Sequence, residues 1–473
     1  MRPYPLIAAL AVLSLGACAS VRPANVALPG QFTASPAVVD AAVDLDRWWA
    51  AYNDPQLDRL VEAALVASPD SRAAAARLTE ARATSSTALI AFLPQGAISG
   101  STRETHTTQI SGRAINIPGF SSTGESNSSS GAFNVSWEVD LFGRIFAVAK
   151  AARGDSDTAR FAYEGARSSL AANIADSYFQ IQGLAIQLAD ARRTAAIQTE
   201  LMRIATLRWQ RGLTALSDAD RVAGDLAQAN AQVEGLVAED QAARRTLLVL
   251  VGRGIEPIQA LAVPEVLSGV PPIPATTPGD LLKRRPDVRQ AEAQIRSAVG
   301  RQTYANLAFF PTFTLTPGLG LSDSSQTGFA SSTRNWSIGA GLTQPVLNVP
   351  RLLQDLKASS ARTEQAVIAY ERVVQTAYGE ADNAMVRLAA DQRRVVLLQD
   401  GEIRAHRAFD ASTIRYQAGL DDLQATLGAE QSWRAVRSQL AAAQVQALRR
   451  SVQTYKTLGG GWPSQSSKRA RPS

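Results

Sequence analysis

The chain is poor in the residues that carry most enzyme chemistry. Its 473 residues include one cysteine, Cys18, and two histidines, His106 and His406. A single cysteine excludes an internal disulfide. Two distant histidines and no Cys/His cluster leave no metal-ligand spacing, so neither metal nor cofactor is expected. No HExxH, P-loop or GxSxG occurs, and Gly318-Leu-Gly320 lacks the third glycine of a dinucleotide loop. The chain is therefore read as a non-enzyme. Formal charge is only +6, from 48 basic and 42 acidic residues, with the two signs interspersed. That pattern is solvated helix surface and argues against a nucleic-acid partner. The apolar run Leu6–Leu13 is far shorter than the roughly 20 residues of a transmembrane helix.

That run has a basic start at Arg2 and ends in Leu15-Gly16-Ala17-Cys18. A basic start, a short apolar core and small residues before a break describe a secretory signal over 1–17. Leu-Gly-Ala-Cys resembles the bacterial lipobox, which implies cleavage before Cys18 and lipid on the new N-terminus. Ala19, where retained lipoproteins carry Asp, resembles an outer-membrane address. The alternative is an ordinary signal with an incidental cysteine. Residues 18–45, rich in Ala, Pro and Val, read as a lipidated tether.

Against these absences stands one stretch, Gly131–Arg144. Phe133, Val135, Trp137, Val139 and Leu141 alternate with Asn134, Ser136, Glu138 and Asp140. Period 2 predicts a strand with one apolar and one polar face. Trp336, Ile338, Ala340 and Leu342 alternate with Ser337, Gly339, Gly341 and Thr343 in the same way. So does Thr312–Leu321, with Phe313, Leu315, Pro317, Leu319 and Leu321 on one face. A half-buried soluble strand has the same pattern. Strands of about 9–11 residues, apolar outside and small-polar inside, are also what a membrane β-barrel requires.

The rest of the chain reads as long helices, and it repeats. Pro69-Asp70 and Pro94 recur as Pro286-Asp287 and Pro311, both offset by 217 (286 − 69 and 311 − 94). Arg208–Gly212 and Gly252 recur as Arg415–Gly419 and Gly459, offset by 207 (415 − 208 and 459 − 252). A longer first hairpin loop, about Arg103 to Ser130 against Ser322–Arg334, accounts for the change. The expected plan is a first repeat over 46–257 with a hairpin at 93–142 and a Pro-rich linker over 258–280. A second repeat over 281–462 has its hairpin at 311–347, and a flexible tail covers 463–473. The Pro-Asp pairs open helices, because Pro suits the first helical position and Asp the positive end of the dipole. From Asp155 to Arg211 no proline interrupts. Ile174, Tyr178, Ile181, Ala185 and Leu188 form a packing stripe, matched by Val367, Tyr370, Val374, Ala377, Ala381, Met385 and Leu388 in the second half. An ordinary helical bundle explains these helices equally well; it explains neither the lipobox-like segment nor the strands.

Four strands per chain are too few to close a membrane barrel, whose minimum is about eight. An open edge in lipid leaves backbone groups unpaired, so several copies must share one barrel.

Four segments carry a family resemblance: Trp48-Trp49 with Asp54-Pro55-Gln56-Leu57, Asp140–Arg144, Leu281–Arg289 and Tyr455–Trp462. With the glycine breaks, the chain resembles the TolC-like outer membrane factor family, in its OprM/NodT-type lipoprotein branch. The resemblance implies a mainly α protein whose long α-helical barrel continues into a β-barrel. That β-barrel would have 12 strands, four from each chain of a homotrimer in outer membrane lipid. It implies a passive exit duct in a tripartite efflux system, docked to a periplasmic adaptor and an inner-membrane pump of RND type. The cargo implied is drugs, toxic small molecules or metal ions. An outlet for peptide or protein (type I) secretion shares this fold, and a periplasmic coiled-coil scaffold is the alternative of another class. The resemblance also makes Gly212, Leu213, Thr214, Gly419 and Leu420 the adaptor-docking tip turns. Candidates for the periplasmic gate are Asp218, Asp220, Arg221, Asp421, Asp422, Leu423 and Leu427. Many relatives carry Asp nine residues after the second tip glycine; Gly428 stands there in this chain.

Overall fold

A computed structural model describes residues 23–33, 45–108, 110–111, 124–264, 266–273, 277–326, 329–418, 420 and 423–460. After a 3₁₀ segment, Leu45–Tyr52, come α1 (Pro55–Ala67), α2 (Pro69–Ile90), β1 (Gln95–Thr107) and β2 (Gly124–Val139). The long helices α3 (Arg144–Gln210) and α4 (Leu216–Val251) complete the first half. The second half repeats the order with α5 (Pro278–Arg284), α6 (Pro286–Leu307), β3 (Thr312–Gln326), β4 (Phe329–Thr343), α7 (Val349–Gln417) and α8 (Leu423–Thr457). With 67 and 69 residues, α3 and α7 are each about 100 Å long.

The chain divides into two compact units. One is built mainly from Thr79–Thr158 and Ala291–Tyr370, the other from Asn25–Leu78, Ala159–Gln290 and Glu371 onward. The first unit holds the sheet, in the order β1-β2-β3-β4, antiparallel throughout. Beside the sheet, α6 runs very close to α3. A Cβ on Gly154 would lie 2.5 Å from the Ser297 nitrogen, and one on Gly300 would lie 2.5 Å from the Ala151 nitrogen. Only a residue without a side chain permits that approach.

The second unit contains the principal hydrophobic core. Trp48 is fully buried and stacks on Tyr455 at 5.7 Å, with Trp49 and Tyr52 edge-on. Around them lie Leu57, Val61, Tyr178, Phe179, Leu248 and Val452. The expected stripe Ile174, Tyr178, Ile181, Ala185 and Leu188 is buried along its whole length. The tyrosine hydroxyls are satisfied: Tyr52 bonds Ser451 at 2.6 Å, Tyr178 donates to Asp54 at 2.6 Å, and Tyr455 donates to the Pro272 carbonyl at 2.7 Å. Asp54 also accepts the Gln56 and Leu57 amides, capping α1. At the α5–α6 junction Arg285 is buried but fully paired. It reaches Asp287 at 2.6 Å, Glu380 at 2.7 Å and the Thr457 carbonyl at 3.2 Å.

Several expectations are corrected. The Ser/Thr-rich stretches expected as loops are largely strand: β1 runs to Thr107, β2 starts at Gly124, and β3 and β4 continue to Gln326 and from Phe329. Serine is compatible with strand where neither face need be apolar. The expected tether is not free over its described part. Phe32 is buried and stacks on Tyr378 at 5.7 Å, while the Asn25 and Thr33 amides donate to Glu371 and Asp382. The Pro-rich linker likewise packs on the core through Leu261, Val263 and Ile273. Its apolar residues sit among prolines, which hid them from a periodicity reading.

The close helix approach yields a first prediction. Gly300→Val should push α6 off α3 and cost about 1–3 kcal/mol or more. Gly235→Ala, where nothing lies within 4 Å, should be neutral or slightly stabilising. Thermal unfolding of the purified protein in detergent checks both; equal midpoints would contradict the tight seam.

Candidate functional site

The sheet register sorts side chains onto two faces. Directly paired residues share a face. One row joins Ile98, Phe133, Leu319 and Trp336 across all four strands. Further rows on that face join Trp137, Leu315 and Ala340, then Val139, Phe313 and Leu342. The opposite face carries Asn134, Gly318 and Ser337 in one row and Glu138, Thr314 and Gly341 in another. The apolar face is open: Trp336 is 76 % exposed, Ile338 73 % and Ile98 85 %. From Phe313 to Leu321 the band spans about 26 Å along the strand, at about 3.3 Å per residue. Tilted as in a barrel, it is about 20 Å tall, close to the apolar band of a bacterial outer-membrane barrel.

The strand does not reach Leu141, contrary to expectation. β2 stops at Val139, because Asp140 turns its carboxylate onto the start of α3. It accepts the amides of Phe142, Gly143, Arg144 and Ile145 at 2.7–3.2 Å. Asp140 is thus the cap of a 67-residue helix and not a polar-face strand residue, and Leu141 lies in the bend. Arg144 pairs with Glu138 at 3.2 Å. Aromatic rings gather at the same margin: Phe142 stacks on Phe310 at 4.9 Å, and Trp137 donates to the Phe92 carbonyl at 3.2 Å.

The other feature is the α3–α4 turn. Gly212 takes φ +68°, a left-handed conformation that suits glycine. The Leu213 amide closes the turn on the Arg208 carbonyl at 2.9 Å. The second turn closes alike, with the Leu420 amide on the Arg415 carbonyl at 2.8 Å. Leu213 is 65 % and Leu420 72 % exposed, and Trp209 and Leu216 are also exposed. Thr214 is half-buried. Of the gate candidates, Asp218, Asp220 and Arg221 are exposed on the first turns of α4, while the adjacent Ala219 and Val222 pack on Ala205. Leu423 opens α8 and Leu427 is half-buried. Gly419, Asp421, Asp422 and Cys18 lie outside the described residues.

A side-chain cluster close to the second turn had no motif to announce it. Trp433 stacks on Phe409 at 5.4 Å, lies 4.6 Å from the His406 ring, and donates to Glu402 at 2.8 Å. Arg437 sits over it and pairs with Asp190 of α3 at 2.7 Å. About one turn before Trp433, Glu430 is buried, its Oε1 accepts no hydrogen bond, and the Arg434 nitrogen is 3.6 Å away. Burial pushes the Glu430 carboxyl above its ordinary range, and Arg434 offsets this only in part. The only sequence signal was a lone tryptophan in an Ala-rich helix.

The family model for outer membrane efflux proteins matches residues 60–253 and 277–460, which is most of the chain. The chain belongs to the outer membrane efflux protein family. It is 30% identical over 470 residues to the pyoverdine export outer membrane protein OpmQ of Pseudomonas aeruginosa, covering 96% of each chain. It is 28% identical to outer membrane protein OprJ of the same organism, over 97% of this chain and 96% of that one. Among solved structures it resembles the outer-membrane channel OprN, at 27% identity and a TM-score of 0.78, with 94% of this chain and 100% of that chain covered.

The fold is thus that of TolC-like channels, a helical barrel with a β part. This family member is an outer membrane efflux duct, and its family is one of channels rather than enzymes.

Glu430 supplies a pH prediction for this efflux protein. Its folded pKa lies above its unfolded value, so the ionised carboxylate destabilises the fold at neutral pH. Glu430→Gln should raise the melting temperature near pH 7.5. The gain should disappear below about pH 4.3, where both states of the wild type bind the proton. A pH series of thermal melts reads the sign; a loss of stability at pH 7.5 would contradict it.

Proposed function

We propose that three copies of this chain close one 12-stranded barrel in the outer membrane. The duct would pass drugs, toxic small molecules or metal ions from an RND-type pump. The observation that carries the reading is the sheet itself: four strands, one continuous apolar face, and two edge strands, β1 and β4. In hydrocarbon those edges need partners, and three such sheets exceed the minimum of about eight strands. Cys18 is the lipidated N-terminus of the mature chain, after removal of residues 1–17. The exposed leucines Leu213 and Leu420 form tip turns that receive the adaptor. Exposed apolar residues gathered at a turn favour a docking surface. The gate lies among Asp218, Asp220, Arg221, Asp421, Asp422, Leu423 and Leu427. Cargo choice rests with the pump, since relatives of nearly equal identity are named for pyoverdine export and for toluene efflux.

The test is assembly in cells. Val135 lies on the apolar face at the middle of the band, and Ser136 on the other face. Val135→Arg should cost about 2–4 kcal/mol and deplete membrane-inserted trimer, while Ser136→Arg should be mild. Cross-linking of outer membranes measures trimer in both. Equal depletion would overturn the assignment of faces, and a cross-linked species other than a trimer would overturn the stoichiometry.

Intact-mass measurement of the membrane-extracted chain tests the anchor. The expected mature chain begins at a lipidated Cys18. An unmodified N-terminus at another residue would remove the anchor.

A further inference from the structure

The apolar face of the sheet is not uniform. At its outer margin, towards the hairpin ends, the row after Ile98, Phe133, Leu319 and Trp336 is Gly100, Gly131, Leu321 and Arg334. Two bulky positions have become glycine there, and a Cβ on Gly131 would meet nothing within 4 Å. The result is a groove of about 510 Å³, walled by Ile98, Phe133, Leu319, Leu321 and Trp336 and floored at Gly131. Arg334 lines the same groove and is exposed. All four strands contribute to it, so the groove belongs to the broad face of the sheet and not to an edge that a second copy would cover.

Charge on this face is sparse. Arg334 is the first charged residue met on leaving the apolar band. One row further out, Asp323 lies opposite Ser332 and accepts its hydroxyl. Glu104 stands on the row beyond, opposite Asn127. An arginine at the edge of hydrocarbon is tolerated at about 0–1 kcal/mol because it reaches the interface. Its planar fork matches a phosphate bidentately. A phosphate monoester carries close to two negative charges, against one on Asp323. The groove below is apolar and narrow, suited to a hydrocarbon chain.

We propose that this groove is a binding site for a phosphorylated acyl lipid of the outer leaflet, with the phosphate on Arg334 and one acyl chain lying over Gly131. The proposal rests on the membrane reading of the sheet. It adds to that reading a stoichiometric lipid, one per chain. Such a lipid would straddle β1 to β4 and brace the outer rim of each sheet.

Native mass spectrometry of the full-length assembly, extracted from membranes and delipidated, tests it. The probes are diphosphoryl lipid A, the same lipid A after phosphatase treatment, and phosphatidylethanolamine. The wild type should bind the diphosphoryl form at least tenfold more tightly than the dephosphorylated form. Arg334→Gln should abolish that preference and Arg334→Lys retain part of it. Gly131→Leu should weaken both forms by filling the groove. Arg103→Gln, on the opposite face, should change nothing. Equal affinity of the wild type for the two lipid A forms would overturn the site, as would an undiminished preference in Arg334→Gln. Should Arg334→Gln fail to assemble, Arg334→Lys and Gly131→Leu decide: wild-type behaviour in both overturns it. An assembled, inserted oligomer without phosphate preference defeats only the lipid site, whereas a wild type that does not insert defeats the barrel.

Discussion

Every backbone amide and carbonyl in hydrocarbon needs a hydrogen-bond partner, because no water is there to supply one. The sheet meets that demand internally along β1–β2, β2–β3 and β3–β4. It cannot meet it at β1 and β4 alone. In the proposed trimer, pairing between copies is therefore a requirement of solvation before it is a feature of transport. A chain that inserted by itself would expose two unpaired edges, at several kcal/mol for each unsatisfied group.

The same constraint shapes the strand ends. Strand and helix geometries are incompatible, and a loose connection at the membrane margin would leave amides unpaired. Asp140 resolves this within one residue by taking four amides with one carboxylate. Pro311, just before β3, ends the preceding helix without presenting an amide. The aromatic rings of Phe142, Phe310 and Trp137 surround these joins. Of these, Trp137, with an apolar ring and a donating N–H, suits an interface that is neither oil nor water.

Much of this fold was legible. Strands β2, β3 and β4 announce themselves through strict alternation, and the long helices through periodicity and spaced glycines. β1 did not, because Gly96, Ile98, Gly100 and Thr102 make its outward face small, with one bulky apolar residue in four. The outer halves of the hairpins read as loops, since past the membrane band neither face has to be apolar. The turn between α3 and α4 was legible from Gly212, which needs a left-handed φ. Trp433, Glu430 and Arg334 were not legible as partners of anything. Their significance comes from neighbours that pairing and packing bring close and that sequence order does not.

The inner face of the sheet carries small side chains or none: Gly318, Gly320, Gly339 and Gly341 alternate with serines, threonines and asparagines. Among its described residues Glu138 is tied to Arg144, and Arg103 lies near the hairpin end. Among the described residues this face therefore holds almost no fixed charge, and that of Glu138 is paired. Lining the proposed barrel, it would behave electrically as a short column of electrolyte: current through it should be nearly ohmic, with little preference between cations and anions. Any rectification or ion selectivity measured for the whole duct then reports on the helical section, and the strands set only the width of the exit.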